Sequence, residues 1–166
     1  MLACIKFAKC REGAKIPSRV DGSAGLDLYA CFDEEYMSIK PHESKLIPTG
    51  IKMAMDPDFF MLIEERGSTG SKGIKKSAGI IDADFRGEIW VVIFNSTDND
   101  LFIAKEPAVA TIQTINANAK IYPYEKAIAQ GLILPVPDLD VEEWTEEEVM
   151  AVPSMRGEGQ LGHSGK

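Results

Sequence analysis

Apolar residues occur along this chain in short blocks, and Gly, Pro, Asp and Asn separate one block from the next. Blocks of this kind predict strands rather than long helices, because strands are short and turn residues end them. The predicted strands cover residues 2–7, 26–30, 45–47, 51–55, 59–64, 88–95, 101–103, 109–115 and 120–122. A spacing of about ten residues between strands is typical of all-β proteins. The pattern predicts an antiparallel β-sandwich or jelly-roll-like barrel.

The last third of the chain has a different pattern. Thr145 and Glu148 form a capping-box sequence, and Pro153 ends the segment, which predicts a helix over Glu146–Ala151. Residues 156–166 are Gly-rich and polar and cannot bury enough surface to fold alone. We therefore expect a β domain over 1–122, an acidic insertion or tether with one short helix over 123–153, and a flexible C-terminal arm over 154–166.

Charge is concentrated in that late segment. The formal net charge is −8, and seven acidic residues lie between Gly131 and Val152 with no Lys or Arg among them. The remaining chain is nearly neutral, which argues against a nucleic-acid partner. The acidic insertion is expected to be a solvated surface, with a protein partner as the alternative. No apolar run is long enough to cross a bilayer. With three Cys and no export signal, the sequence predicts a cytoplasmic protein with reduced thiols.

Five short segments suggest chemistry that the strand pattern alone does not. They are 24–28 (AGLDL), 66–72 (RGSTGSK), 79–88 (GIIDADFRGE), 110–113 (ATIQ) and 156–165 (RGEGQLGHSG). The second segment is a Gly/Ser turn that could open a short helix and offer backbone N–H groups to a phosphate. In their order and spacing, the five segments resemble the five motifs of the trimeric dUTP diphosphatases (dUTPases).

The resemblance implies an enzyme that hydrolyses dUTP to dUMP and pyrophosphate by water attack at the α-phosphorus. Asp82 matches the water-activating carboxylate of the family. Arg66, Arg156 and Gln113 match its phosphate-binding residues, since a guanidinium fork suits phosphate oxygens. Mg²⁺ would be carried mainly by the substrate phosphates, with Asp27 reaching its water shell.

The same resemblance implies where the rest of the substrate binds. It implies that the second segment contacts the phosphates. It also implies that a hairpin at residues 77–81 contacts uracil and that the third segment contacts deoxyribose. The implied substrate-binding residues are Gly67, Ser68, Thr69, Ser77, Gly79, Ile81, Phe85, Leu161, Gly162, His163 and Ser164. Three copies of the chain would share each active site in a homotrimer, and the C-terminal arm would close over the substrate as a lid.

Several positions depart from the usual motifs and leave alternatives open. Gly67 replaces a Ser, Phe85 a Tyr, and Leu161 the Phe that stacks on uracil. The usual Gly-Asp-Arg before the fourth motif's Gln is replaced by residues 108–110. One alternative is therefore a regulatory or nucleotide-sensing protein with weak turnover. Another is a relative of dCTP deaminase, although Val92 stands where that family needs a Glu.

Overall fold

Strands dominate the computed structural model, which describes residues 4–159. The strands are β1 (Ile5–Lys9), β2 (Leu26–Tyr29), β3 (Tyr36–Ile39), β4 (Ser44–Pro48), β5 (Ile51–Met55), β6 (Phe59–Glu64), β7 (Ile74–Ala78), β8 (Ile80–Ile81), β9 (Trp90–Asn95), β10 (Leu101–Ala104), β11 (Lys120–Pro123) and β12 (Ala127–Pro135). The helices are α1 (Gly67–Gly70), α2 (Val109–Ile115), which a short 3-10 helix (Glu106–Ala108) precedes, and α3 (Glu146–Ala151). The predicted all-β class is confirmed, as are α1 and α3.

The strands form four small sheets with the orders β1-β5, β11-β10-β3, β2-β12-β6-β8 and β4-β9-β7. Most of their inward side chains form one large apolar core, and a smaller cluster lies between β10 and α2. Ile47, Met61 and Ile63 have no exposed surface, and Ile89 and Val91 are equally enclosed. A continuous core between sheets is the usual way for antiparallel sheets to bury their apolar faces.

Residues 109–115 form a helix, and the prediction of a strand there is wrong. The β-branched residues in this segment favour a strand locally, but its neighbours β10 and β11 run parallel to each other. Parallel strands need a crossover connection, and this crossover contains the 3-10 helix and α2. Ala108 and Ile112, one helical turn apart, are buried against Phe102 and Ala104. The tertiary connection therefore overrides the local preference.

β12 lies inside the β2-β12-β6-β8 sheet, where we expected an acidic tether from residue 123 onward. It pairs antiparallel with both β2 and β6, and Ala127, Ile128 and Ala129 are buried. The compact unit that contains the sheets extends to Val136, and a second unit follows from Pro137. β12 therefore belongs to the compact unit and not to the segment predicted as a tether. Strands β3, β7 and β8 were also missed. The hairpin expected at 77–81 does not form, because β7 pairs with β9 and β8 pairs with β6.

The second unit contains α3, whose predicted capping box is present. The Thr145 hydroxyl accepts a hydrogen bond from the Glu148 backbone N–H at 3.2 Å, and the Glu148 carboxylate accepts one from the Thr145 N–H at 2.8 Å. The bond from the Thr145 N–H, followed by a second one that the Thr145 hydroxyl donates to the carboxylate at 2.9 Å, lowers the pKa of Glu148. Within residues 4–159, no helix is both long and apolar enough to cross a membrane.

Candidate active site

Arg66 stands between β6 and α1, at the mouth of a cleft of about 480 Å³. The cleft, called the Arg66 cleft below, is lined by Asp27, Tyr29, Arg66, Ser68, Lys72, Tyr122, Glu125, Lys126 and Ala127. Nε of Arg66 lies 3.0 Å from Oδ1 of Asp27, and Nη1 donates to the Ala127 carbonyl at 3.4 Å. These contacts orient a half-buried guanidinium toward the cleft.

The one-turn helix α1 is stabilised from within by Thr69. Its hydroxyl accepts a hydrogen bond from the Arg66 N–H at 3.0 Å and donates to the Arg66 carbonyl at 2.9 Å. Thr69 is fully buried, so its side chain supports the loop and does not line the cleft. Gly67 and Ser68 are exposed, and Ser68 lines the cleft. The second segment therefore presents one arginine and one hydroxyl to the same space.

Gln113 does not lie with these residues. It is an exposed residue of α2 and lines neither this cleft nor the one that contains Asp82. The structure instead brings Gln130 of β12 beside the Arg66 loop. Gln130 pairs across the sheet with Asp27 and with Glu64, and its Nε2 donates to the Glu65 carbonyl at 3.0 Å.

Gln130 is a residue beside the Arg66 loop that the sequence interpretation did not consider. Gly25 leaves room for it, since a Cβ added there would lie 2.7 Å from Oε1 of Gln130. One signal was available: residues 125–130 read EKAIAQ, in which an acidic and a basic residue precede the Gln. This order of an acidic and a basic residue resembles the expected Gly-Asp-Arg more closely than residues 108–110 do. It was overlooked because residues 123–153 were interpreted as an acidic tether.

Asp82 lies in a different cleft, of about 600 Å³. This Asp82 cleft is lined by Met55, Pro57, Phe59, Phe60, Asp82, Ala83, Asp84, Arg86 and Val136. β8 pairs with β6 so that Ile81 lies opposite Met61, which places Asp82 beside the start of β6. Asp82 continues this register to a position opposite Phe60, and Arg66 follows the other end of β6, six residues beyond Phe60 (66 − 60). At a strand rise of about 3.3 Å per residue, the two are roughly 20 Å apart along β6.

The start of the third segment is packed tightly against β6, with which β8 pairs. The Ile63 N–H donates to the Gly79 carbonyl at 2.7 Å, and a Cβ added to Gly79 would lie 2.5 Å from the Ile63 carbonyl oxygen. Ile81 is half-buried, whereas Ser77 is exposed, with its Oγ 3.2 Å from Oγ of Ser44. Phe85 is exposed, and its ring lies against Gly87.

Glu88 ends this segment and fixes it to the N-terminal part of the chain. Its carboxylate accepts two hydrogen bonds from the Arg11 guanidinium, at 2.7 and 2.9 Å, and one from the Gly50 N–H at 2.8 Å. The bonds from Arg11, followed by the one from Gly50, hold the pKa of Glu88 below its usual value, although partial burial opposes them.

Arg156 belongs to the second unit, where it is exposed and its Nε donates to the Gly159 carbonyl at 2.7 Å. Leu161, Gly162, His163 and Ser164 lie outside the described residues. Among residues 4–159, no group of three or more His, Cys, Asp or Glu side chains is arranged to hold a metal ion. A divalent cation would therefore need ligands beyond these side chains.

Comparison with known proteins identifies a family. The dUTPase family profile matches residues 11–131, a range that includes Gln130. A deoxyuridine 5′-triphosphate nucleotidohydrolase from Psychrobacter sp. (strain PRwf-1) is 35% identical over 158 residues, covering 91% of this chain and 86% of the relative. A protein of the same name from Idiomarina loihiensis is 34% identical over 172 residues, covering 98% of this chain and 96% of the relative.

Solved structures share the fold. The Staphylococcus bacteriophage 80alpha dUTPase with dUPNHPP has a TM-score of 0.75 at 21% identity, covering 98% of this chain and 99% of that one. A dUTPase variant from phage phi11 of S. aureus, described with a structural Mg(II) ion, has a TM-score of 0.67 at 18% identity, covering 87% and 99%. At these identities the likeness concerns the fold alone.

Proposed function

The chain belongs to the dUTPase family, and we propose that it hydrolyses dUTP to dUMP and pyrophosphate in active sites shared between copies of the chain. The proposal that active sites are shared between copies rests on one observation. Asp82 and Arg66 lie toward opposite ends of β6 and are far apart in one chain. Attack on a phosphorus atom needs the base and the phosphate-binding groups around one substrate. A neighbouring copy that brings its Asp82 cleft to this chain's Arg66 cleft meets that need.

Asp82 is the proposed general base. It follows a strand that β6 holds in place, and its side chain is exposed beside a cleft. An ionised carboxylate can accept a hydrogen bond from water and take its proton as the water attacks the α-phosphorus. The exposed position suits a group that must reach a substrate bound by another copy.

Arg66 is the proposed phosphate ligand in the body of the protein, with Ser68 as a hydroxyl donor. Because Asp27 and the Ala127 carbonyl already orient Arg66, its remaining N–H groups are prearranged for phosphate oxygens. Gln130 holds the Glu65 carbonyl and so steadies the loop that carries Arg66. Arg156 would add a second guanidinium from the C-terminal arm, together with residues 161–164.

Mg²⁺ fits this site as a companion of the substrate. The described residues offer no cluster of protein ligands, and Asp27 is already engaged by Arg66. Such a donor set suits an ion that keeps most of its water and is bound through phosphates. Asp27 would contact its water shell. The chemistry that the ion supplies when bound is neutralisation of charge on the phosphate oxygens.

An exposed apolar face supports self-association, which we propose gives a homotrimer. In the β4-β9-β7 sheet, Trp90, Val92 and Phe94 alternate with buried residues and so point away from the core. Leu46 lies opposite Val92 on the same face and is 55% exposed. A central strand with apolar residues on both faces is typical of a sheet covered on both sides.

The base and sugar would bind at the third segment. Backbone groups of residues 77–81, where the chain passes from β7 to β8, are proposed to pair with the uracil edge, and the small residues there permit close approach. The exposed Phe85 ring would pack on deoxyribose and leave no room for a 2′-hydroxyl.

Pyrophosphate release from dUTP, dTTP, dCTP and UTP in the presence of Mg²⁺ tests the proposed reaction. We expect release from dUTP alone. Asp82→Asn should bind dUPNHPP as the wild type does and lose turnover by about two orders of magnitude or more. Binding of dUPNHPP without any pyrophosphate release from dUTP would instead indicate a regulatory protein. Unchanged turnover in Asp82→Asn would remove Asp82 from the role of base.

A further inference from the structure

The Arg66 cleft contains more positive charge than its internal ion pairs use. Asp27 is paired with Arg66, and Glu125 is paired with Lys15 at 2.6 Å. The cleft also contains Lys72 and Lys126, both exposed. Between residues 4 and 159, neither of these two lysines has a carboxylate within 4.0 Å. Two cationic side chains are therefore available to a ligand.

Tyr122 connects this lysine pair to Arg66. Its hydroxyl donates to the Ala127 carbonyl at 2.7 Å, the same carbonyl that Nη1 of Arg66 contacts. Nζ of Lys72 lies 5.8 Å from the centre of the Tyr122 ring, within the range of a cation–π contact. Tyr122 is buried, so its ring is a fixed support for the flexible lysine.

We propose that Lys72 and Lys126 bind the phosphate chain of the substrate, and that Tyr122 is a positioning residue for Lys72. The inference rests on the proposed function for the identity of the substrate and adds residues to it. β11 and the β11–β12 turn supply Tyr122 and Lys126, so the segment that follows the α2 crossover completes the wall of the cleft.

The charge of the whole chain makes this local arrangement informative. With a net charge of −8, the chain does not attract a polyphosphate through its overall field. Binding must therefore come from local cations. Gly67 contributes no side chain at the mouth of the cleft, and nothing in the structure lies within 4 Å of a Cβ placed there. The two lysines provide donors that Gly67 lacks.

Calorimetric titration of the whole chain tests the two lysines. Lys72→Met and Lys126→Met preserve most of the side-chain volume and remove the charge. Each should weaken binding of dUPNHPP and of inorganic tripolyphosphate about five- to tenfold, the loss of one charge-assisted contact at an exposed site. Binding of deoxyuridine, which has no phosphate, should be unchanged. Lys9→Met, an exposed lysine of β1 outside the cleft, is the matched control.

A double-mutant cycle tests the positioning role of Tyr122. Tyr122→Leu removes the ring and should weaken dUPNHPP binding about as much as Lys72→Met does. The double variant should show no further loss, because both changes remove one coupled contact. Tyr122→Phe, which retains the ring, should preserve the effect of Lys72. A general loss of structure would instead give additive effects and a lower melting temperature in every background.

Each result supports or overturns the inference separately from the proposed function. Unchanged affinity for both phosphate ligands in Lys72→Met and Lys126→Met would overturn it, even if the wild type releases pyrophosphate from dUTP. An equal loss of deoxyuridine binding would overturn it too, since the damage would not be specific to phosphate. A wild type that binds tripolyphosphate through these lysines without hydrolysing dUTP would leave the anion site intact and refute the proposed reaction.

Discussion

Gly79→Ala tests how the third segment is held against β6. A Cβ at this position would lie 2.5 Å from the Ile63 carbonyl oxygen. Reaching even 3.0 Å requires a displacement of 0.5 Å (3.0 − 2.5), and the atom in contact belongs to the backbone of a central strand. The displacement would stretch the 2.7 Å hydrogen bond from the Ile63 N–H to the Gly79 carbonyl.

The expected cost combines two terms. Weakening a buried backbone hydrogen bond costs about 1–3 kcal/mol, and forcing an extra methyl group into a packed site costs about 1–3 kcal/mol. The lower conformational entropy of an unfolded chain with Ala returns about 0.4–1 kcal/mol. We therefore expect a loss of about 1–5 kcal/mol in the free energy of unfolding. Turnover should fall as well, because Ile80, Ile81 and Asp82 follow directly and move with residue 79.

Urea denaturation at one protein concentration, followed by circular dichroism, measures the change. Gly67→Ala is the matched control, since nothing lies within 4 Å of its added Cβ. That variant should remain within about 0.5 kcal/mol of the wild type. If Gly79→Ala is as stable as Gly67→Ala, residue 79 does not pack against Ile63 as tightly as the structure indicates, and the expected cost is refuted.

Gln130→Ala should lower kcat/KM for dUTP about tenfold or more, whereas Gln113→Ala should leave it within about twofold; the reverse order would restore Gln113 to the site. Because the pKa of Glu88 is lower in the folded state, its contribution to stability is present above its ordinary pKa of 4.5 and is lost as pH falls through the lowered value. Glu88→Gln should therefore destabilise the protein at neutral pH and flatten its loss of stability in acid, as urea midpoints across pH would reveal. Phe85→Ala should raise hydrolysis of UTP relative to dUTP, and unchanged selectivity would exclude Phe85 as the sugar gate.

Local sequence determined much of the fold, because strand alternation and turn residues act over only a few positions. β2, β5, β6 and β9 lie close to their predicted positions, and the capping box of α3 is present. Arg66 and Asp82 could be selected as candidates for the same reason, since each stands within a short, distinctive segment.

The tertiary structure decided what depends on contacts between distant segments. Val109–Ile115 is helical because two parallel strands must be connected, a requirement that its own residues do not express. β12 could not be assigned without its partners β2 and β6, and with it came Gln130 beside the Arg66 loop.

The separation of Asp82 from Arg66 along β6 is likewise a property of strand register, not of either motif. Local sequence therefore supplied candidates such as Arg66 and Asp82, but it selected Gln113 and overlooked Gln130. Only the folded chain decided which of them lie together, because strand pairing brings together residues that are far apart in sequence.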